Sequence, residues 1–280
     1  MNSANLHMNE HNAAKAFSRQ APVFDGLYSN NTIINYKRRR VRDAVLQHLP
    51  ENGSILELNC GTGEDALFFA QNGFKVHGTD VASGMLQQFE QKTAGYRDSV
   101  SFEQCSYTEL ASLQNKGPYD MIFSNFGGLN CTGELDKVLS SFDVLLKPGG
   151  TATLVIISKF CLWETLLVFK GKFKTAFRRF FSSKGRRARV EGEYFKCWYY
   201  NPGYVINKLG AGFELAGLGG LCTIVPPSYI EGFAEKDPLL YRFLVRQEDR
   251  LKSKWPWKYI GDYYIISMRK APQPPEGGAK

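Results

Sequence analysis

Between residues 54 and 158 the sequence alternates five short apolar runs with segments of helical period, and few architectures accept that alternation. SILELN (54–59) leads into a helix from Glu64, and FKVHGT (74–79) into one from Ala82. SVSFEQ (99–104) leads into a short polar connection, and YDMIFSN (119–125) precedes a helix over about 133–146. Lys147-Pro148-Gly149-Gly150 then turns the chain into TATLVIIS (151–158). Strands joined in this way lie parallel with right-handed crossovers, so the pattern predicts an α/β fold with helices on both faces of the sheet. FELAGLGGL, stopped by Val225-Pro226-Pro227, and DYYIISMRK (262–270) add two strands, for seven in all. The last is expected to pair antiparallel, because no crossover helix follows it. Upstream, the segment over about 32–49 is apolar at Ile34, Val41, Ala44, Val45 and Leu49 and stops before Pro50, the pattern of a helix capping the sheet.

These signals divide the chain into one domain over 14–270: a helical cap (14–50), a core (51–158), a basic aromatic insertion (159–200) and the segment completing the sheet (201–270). The polar leader 1–13 and the Pro/Gly-rich tail 271–280 are expected to be disordered. No apolar run reaches the roughly 18 residues of a membrane span, and the polar N-terminus does not resemble a signal peptide, so the cytosol is the expected compartment. Six cysteines at least 25 residues apart offer no zinc spacing, and with four histidines no metal is expected. Charge is concentrated. Residues 159–196 hold eleven Lys or Arg against three acids, which equals the whole net charge of +8 and leaves the remainder neutral.

The run ILELNCGTGEDALFFA places Gly61 and Gly63 where a buried strand meets a helix N-terminus. Glycine there permits the tight turn and lets backbone N–H groups approach a ligand. Asp80 ends the next strand about twenty residues on, where a carboxylate can accept both hydroxyls of a ribose. Strand, glycine turn, helix, strand and acid make a nucleoside-binding constellation. By itself it also satisfies a GxGxxA dinucleotide fingerprint, ending at Ala66. Three features favour S-adenosylmethionine: Glu57 four residues before Gly61, some fifty residues of helix before the first strand, and Lys-Pro-Gly-Gly before the fifth.

ELNCGTG, the Asp80 strand end and LLKPGG resemble the motifs of class I, Rossmann-like S-adenosylmethionine-dependent methyltransferases of the small-molecule type. The resemblance covers roughly 15–158 and, more loosely, the last strands. It implies S-adenosyl-L-methionine as cofactor, with Glu57, Asn59, Cys60, Gly61, Thr62 and Gly63 along its methionine part. It further implies Asp80 on the ribose, Val81 and Met85 over the adenine, and Asn125 after the fourth strand. APVFDGLYSNN resembles the N-terminal cap, with Tyr28 matching the aromatic residue over the active site. Two departures stand out. Asn59 replaces a usual glycine, a tolerable exchange because asparagine enters left-handed backbone conformations. Gln104-Cys105-Ser106 stands where an acid near the adenine amino group is common, so that contact falls to a backbone carbonyl around Cys105 or to the Ser106 hydroxyl.

Methyl transfer from a sulfonium is an in-line displacement that needs alignment and exclusion of water more than a strong base. Ser124-Asn125-Phe126-Gly127-Gly128 sits at the switch-point crevice where an acceptor arrives and lacks the [DN]PP[YF] signature. Tyr28, Asn125, Phe126, Glu164, Tyr194 and Tyr199 are the acceptor-pocket candidates, and His77, inside a strand, reads as packed. In 159–200, Phe173, Phe177 and Phe180 share one helical face and Lys172, Lys174, Arg178 and Arg179 fall elsewhere, the pattern of a basic amphipathic lid. Three readings of it stay open: a lid over a small hydrophobic or lipid-like acceptor, a peripheral contact of 159–196 with an anionic inner membrane surface, and an RNA contact in an RNA methyltransferase. A cofactor-fold protein that transfers no methyl group is a further alternative.

Overall fold

A computed structural model describes residues 3–272. Seven strands form one sheet: β1 (Ser54–Leu58), β2 (Lys75–Asp80), β3 (Val100–Gln104), β4 (Tyr119–Ser124), β5 (Leu146–Ile157), β8 (Phe213–Leu221) and β9 (Tyr263–Lys270). Their order is β3-β2-β1-β4-β5-β9-β8, and β9 alone runs opposite to the other six. A separate hairpin holds β6 (Arg186–Val190) and β7 (Glu193–Cys197). The seven-stranded sheet with its antiparallel last strand is the predicted one. Strand order reverses between β1 and β4, which opens a crevice at their carboxyl ends.

Alternate residues of each strand feed opposite faces. Leu56, Ile122, Leu154 and Ile156 pack on one side with Phe142, while Ile55, Met121, Phe123 and Val155 pack on the other with Phe69 and Val41. Four helices matter for the crevice: α1 (Ser3–Tyr28), α2 (Thr32–Leu46), α3 (Glu64–Gln71) and α4 (Ser83–Thr93). α2 starts where it does because the Asn31 side chain accepts the backbone N–H groups of Ile33 and Ile34, both at 3.0 Å. β5 starts five residues earlier than the sequence suggests, at Leu146. Lys-Pro-Gly-Gly is absorbed as an irregularity in the β4–β5 register, with Gly149 at φ 78°.

Two expectations need correction. The leader is not disordered over the described residues, since α1 begins at Ser3. Its polar side chains are paid for by tertiary partners: buried Asn9 donates to the Cys131 carbonyl at 2.8 Å and accepts the Lys196 N–H at 2.6 Å. Small Ala13 and Ala16 let α1 pack closely on Cys131 and Phe195. The tail expected to be disordered lies, from 273 on, outside the described residues.

The insertion is not a continuous amphipathic helix either. It comprises short turns at Leu162–Thr165, Leu166–Lys170 and Phe173–Ala176, followed by the hairpin. Glu191 and Gly192 both take positive φ, 45° and 81°, the two-residue turn that matches strand twist. The hairpin clasps α1: Phe195 meets Phe17 with ring centroids 5.7 Å apart, and Glu193 takes Lys15 and Arg19 at 2.8 and 2.6 Å.

Candidate functional site

The turn after β1 is shaped by three left-handed residues, Asn59 (φ 48°), Gly61 (φ 55°) and Gly63 (φ 81°). Asn59 holds that conformation by bridging the crevice: its side chain accepts the Ser124 hydroxyl at 2.7 Å and donates to the Asn125 carbonyl at 3.2 Å. Gly63 leads into α3, and a Cβ there would meet the Phe89 ring of α4 at 2.7 Å, so only glycine lets turn and helix approach so closely. Asp80 ties the second strand end to the same turn. Its two oxygens accept the N–H groups of Gly61 at 3.0 Å and Ala82 at 2.8 Å. Burial pushes the Asp80 carboxyl above its ordinary range, against the opposing pull of these amides.

Above the turn lies a cavity of about 880 Å³, counting space open to solvent. One wall is Glu57, Asn59, Cys60, Gly61 and Thr62, and the facing wall is Asp80, Val81 and Met85. Asn125 and Phe126 close the crevice end. Phe126 sits at φ 45°, rare for a large side chain, and its ring lies 5.2 Å below the Arg38 guanidinium. Arg38 also pairs with Asp65 at 3.3 Å, while Asp65 takes Arg42 at 2.8 Å and the Asn125 amide at 2.7 Å.

Glu57 stands out in this network. It is 3% exposed, it lines the cavity, and its Oε2 has no hydrogen-bond partner. Burial first, then the Asp65 charge, push its carboxyl well above the ordinary range, and Arg38 and Arg42 offset only part of that. Such an oxygen is costly unless a donor meets it.

The structure thus brings together Glu57, Asn59, Cys60, Gly61, Thr62, Asp80, Val81, Met85, Asn125 and Phe126 from three strand ends. Gly63 supports the turn from behind. Other candidates fall away from the cavity. Cys105 and Ser106 do not line it, whereas Tyr107 does. The Ser106 hydroxyl is directed to Glu10 of α1. Tyr28 packs edge-on to Phe24 at 4.8 Å, and Phe24 is the ring on the wall. Glu164 is buried between Arg178 and Arg179, so its charge is spent on the fold. Tyr194 lies exposed under Arg187 at 3.6 Å, and Tyr199 faces Arg179 at 5.3 Å. His77 is packed as expected, with Nδ1 2.8 Å from the Ser101 hydroxyl.

Sequence reasoning placed a cap over the site at 21–31 but missed the part of the roof that precedes it and the choice of Phe24 over Tyr28. Glu10, Ala13, Ala14, Phe17 and Phe24 of α1 line the cavity, with Arg38 of α2 beside them. Their three- and four-residue spacing is a helical face that runs straight through the segment read as a leader. Glu10 is buried at 8% exposure, and burial raises its carboxyl above the ordinary range against the hydroxyls of Ser106 and Thr108.

With this geometry in hand, comparison with known proteins is informative. Residues 55–150 match the family model described as a methyltransferase domain. An S-adenosyl-L-methionine-dependent Diels-Alderase, iccD, of Talaromyces variabilis is 30% identical over 131 residues, 45% of this chain and 44% of that protein. A demethylmenaquinone methyltransferase of Bacillus licheniformis is 28% identical over 212 residues, 70% of this chain and 86% of that protein. The chain spans less than half the length of the first curated relatives it matches, 47% and 44%. The 1,6-didemethyltoxoflavin-N1-methyltransferase of Burkholderia thailandensis, solved with its substrate and S-adenosylhomocysteine, shares the fold. Its TM-score is 0.59 at 14% identity, over 97% of this chain and 92% of that one.

Proposed function

We infer that the chain is a class I S-adenosylmethionine-dependent methyltransferase, a premise supported by the methyltransferase-domain match over residues 55–150 and by the strand order of the sheet. The reading is methyl transfer to a small, hydrophobic or lipid-like acceptor, at an oxygen, nitrogen or carbon atom. The observation that carries it is the unpartnered, buried Glu57 oxygen set beside the glycine turn and across from Asp80. A ligand that brings donors, an ammonium group at one end and ribose hydroxyls further along, fits those two acceptors. S-Adenosylmethionine, when bound, supplies a methyl group on a positively charged sulfur.

The chain's own residues then have separable tasks. Glu57 would accept from the ammonium, and the glycine turn, with no Cβ at Gly61, would let the methionine part lie close against its backbone. Asp80 accepts from the ribose hydroxyls, Val81 and Met85 flank the adenine, and Glu10 supplies the carboxylate missing after β3. Asn125 and Phe126 present the acceptor beneath Arg38, while Phe17 and Phe24 exclude water from the reacting centre. None of the four histidines lines the cavity, which agrees with a reaction driven by alignment. The likeness to enzymes named for a quinone and for a small heterocycle supports a small acceptor.

Two experiments test this reading. Calorimetry should detect S-adenosylhomocysteine binding to the wild-type protein; no binding removes the premise. Transfer of a labelled methyl group from S-adenosylmethionine into a cell extract, followed by partition, should place label in the organic fraction. Label in RNA would shift the reading to an RNA methyltransferase. Binding without transfer to any fraction would leave a protein that uses the cofactor fold for something else, as the Diels-Alderase relative does by name.

Glu10 has its own prediction. Glu10→Ala is expected to weaken S-adenosylhomocysteine by about 1 kcal/mol, the net value of one hydrogen bond. It should weaken the inosine analogue, which has a carbonyl in place of the 6-amino group, by less. Equal losses for the two ligands would assign Glu10 to packing of α1 alone.

A further inference from the structure

The short turns of the basic insertion carry a surface that the cavity does not use. Within 16 residues Leu166, Phe169, Phe173, Phe177, Phe180 and Phe181 are all exposed, from 39% for Phe180 to 84% for Phe169. No residue of this segment lines the cavity, so the rings are not the inner face of a lid. Around them Lys159, Lys170, Lys172, Lys174 and Lys184 are exposed, and among the described residues none is in an ion pair. The only acid from 159 to 190 is Glu164, which is 2% exposed and held by Arg178 and Arg179. The outward face is therefore aromatic and uniformly cationic.

We propose that residues 159–184 form a docking surface for an anionic phospholipid bilayer. Scattered exposed rings are ordinary, but six large apolar side chains crowded together exceed what a water-facing surface usually carries. Phenylalanine enters the acyl boundary, and lysine keeps its ammonium among the phosphates while its stem lies along the rings. Uniform positive charge complements a negative leaflet. RNA fits less well. Within 159–184 both arginines, Arg178 and Arg179, are held by Glu164, and Phe177 and Phe180 already pack on each other at 6.0 Å.

The surface is also placed for use. Arg179 anchors it to the Ser158 carbonyl at 3.0 Å, just past β5, and to Asp262, just before β9. That is the same end of the sheet on which the cavity opens, so docking would bring the cavity's end of the molecule to the bilayer. Among the described residues no helix is long and apolar enough to cross a membrane, so the contact is peripheral. It does not depend on the methyltransferase reading, because no residue is shared with the cavity.

The test is sedimentation of the full chain with phosphatidylcholine vesicles with and without phosphatidylglycerol, at low and high salt. Binding is expected only with the anionic lipid, and it should fall with salt. Phe169→Ser with Phe181→Ser, and separately Lys170→Glu with Lys172→Glu, should each weaken it about tenfold or more. Both pairs alter exposed side chains, and both variants should keep wild-type affinity for S-adenosylhomocysteine. Absence of binding to anionic vesicles overturns the proposal. So does binding that either pair leaves unchanged, or a dependence of RNA binding or self-association on these side chains without vesicle binding.

Discussion

Replacing Arg179 with Ala is expected to lower the free energy of unfolding by about 3–5 kcal/mol, because it strands the buried Asp262 carboxylate and leaves buried Glu164 with Arg178 alone. Arg179 is 3% exposed. It donates to Glu164 at 2.7 Å, to the Asp262 carboxylate at 2.6 Å, and to the carbonyls of Ser158 and Asp262 at 3.0 and 2.8 Å. One guanidinium therefore joins the insertion to the ends of β5 and β9. Chemical denaturation at neutral pH measures the loss, and a loss below about 1 kcal/mol would show the network to be solvated.

The pH dependence of that loss has a definite sign. Burial alone would raise the Glu164 carboxyl, but the hydrogen bonds and charges of Arg178 and Arg179 outweigh it and hold it below its ordinary value of 4.5. A carboxyl depressed in the folded state stabilises the fold above its unfolded pKa, and that stability is lost as pH falls through the folded value. The gap between wild type and Arg179→Ala should therefore be full near neutrality and narrow as pH drops below about 4.5. A gap independent of pH would mean that Arg179 acts by packing against Tyr199 and not by charge.

Arg179 also shows why some of the molecule was legible in the sequence and some was not. The sheet was readable because its signal is local. Apolar strand runs, glycine turns and helix stops recur at short spacing, and the inner strands β1, β2, β4, β5 and β9 are buried on both faces over most of their length, so no long-range partner is needed to recognise them. The turn at Asn59–Gly63 and its partner Asp80 were readable for the same reason: their backbone geometry dictates residue type, and Asn59 took the left-handed conformation that its identity allowed.

The roof and the insertion depended on contacts far apart in sequence. Asn9 and Glu10 look like solvent-facing residues until Cys131, Lys196 and Ser106 bring them partners from more than 90 residues away. In the proposed reading the adenine contact given to Cys105 or Ser106 passes instead to Glu10 of α1, a substitution that no local motif announces. In the insertion, the periodicity of Phe173, Phe177 and Phe180 suggested one helix, yet the segment breaks at Gly171 (φ 70°) and ends in a hairpin. The Glu191-Gly192 turn between β6 and β7 was a visible hairpin signal that the aromatic pattern outweighed. Glu164 was misread because a charge near an expected pocket looks functional until its counter-ions, both supplied by the same segment, are seen to neutralise it.

Asp80→Ala is expected to weaken S-adenosylhomocysteine by about 1–3 kcal/mol, or roughly 5- to 150-fold in dissociation constant. Each Asp80 oxygen accepts one backbone N–H, from Gly61 at 3.0 Å and from Ala82 at 2.8 Å, which leaves further lone pairs for a vicinal diol. Removing the carboxylate therefore acts twice, by deleting the ribose acceptors and by freeing the two amides that shape the turn. Asp80→Asn separates the two effects. It keeps one oxygen for a turn amide but removes the charge that makes the diol contact strong, so its affinity should fall between those of wild type and Asp80→Ala. Thermal melting of the ligand-free variants checks that the turn has not collapsed, and calorimetry reads the affinity. Undiminished binding in a stable Asp80→Ala protein would mean that the ribose lies elsewhere in the cavity while the cofactor assignment stands. A full loss in both variants with unchanged melting would make the carboxylate charge, and not the shape of the turn, the determinant of cofactor binding.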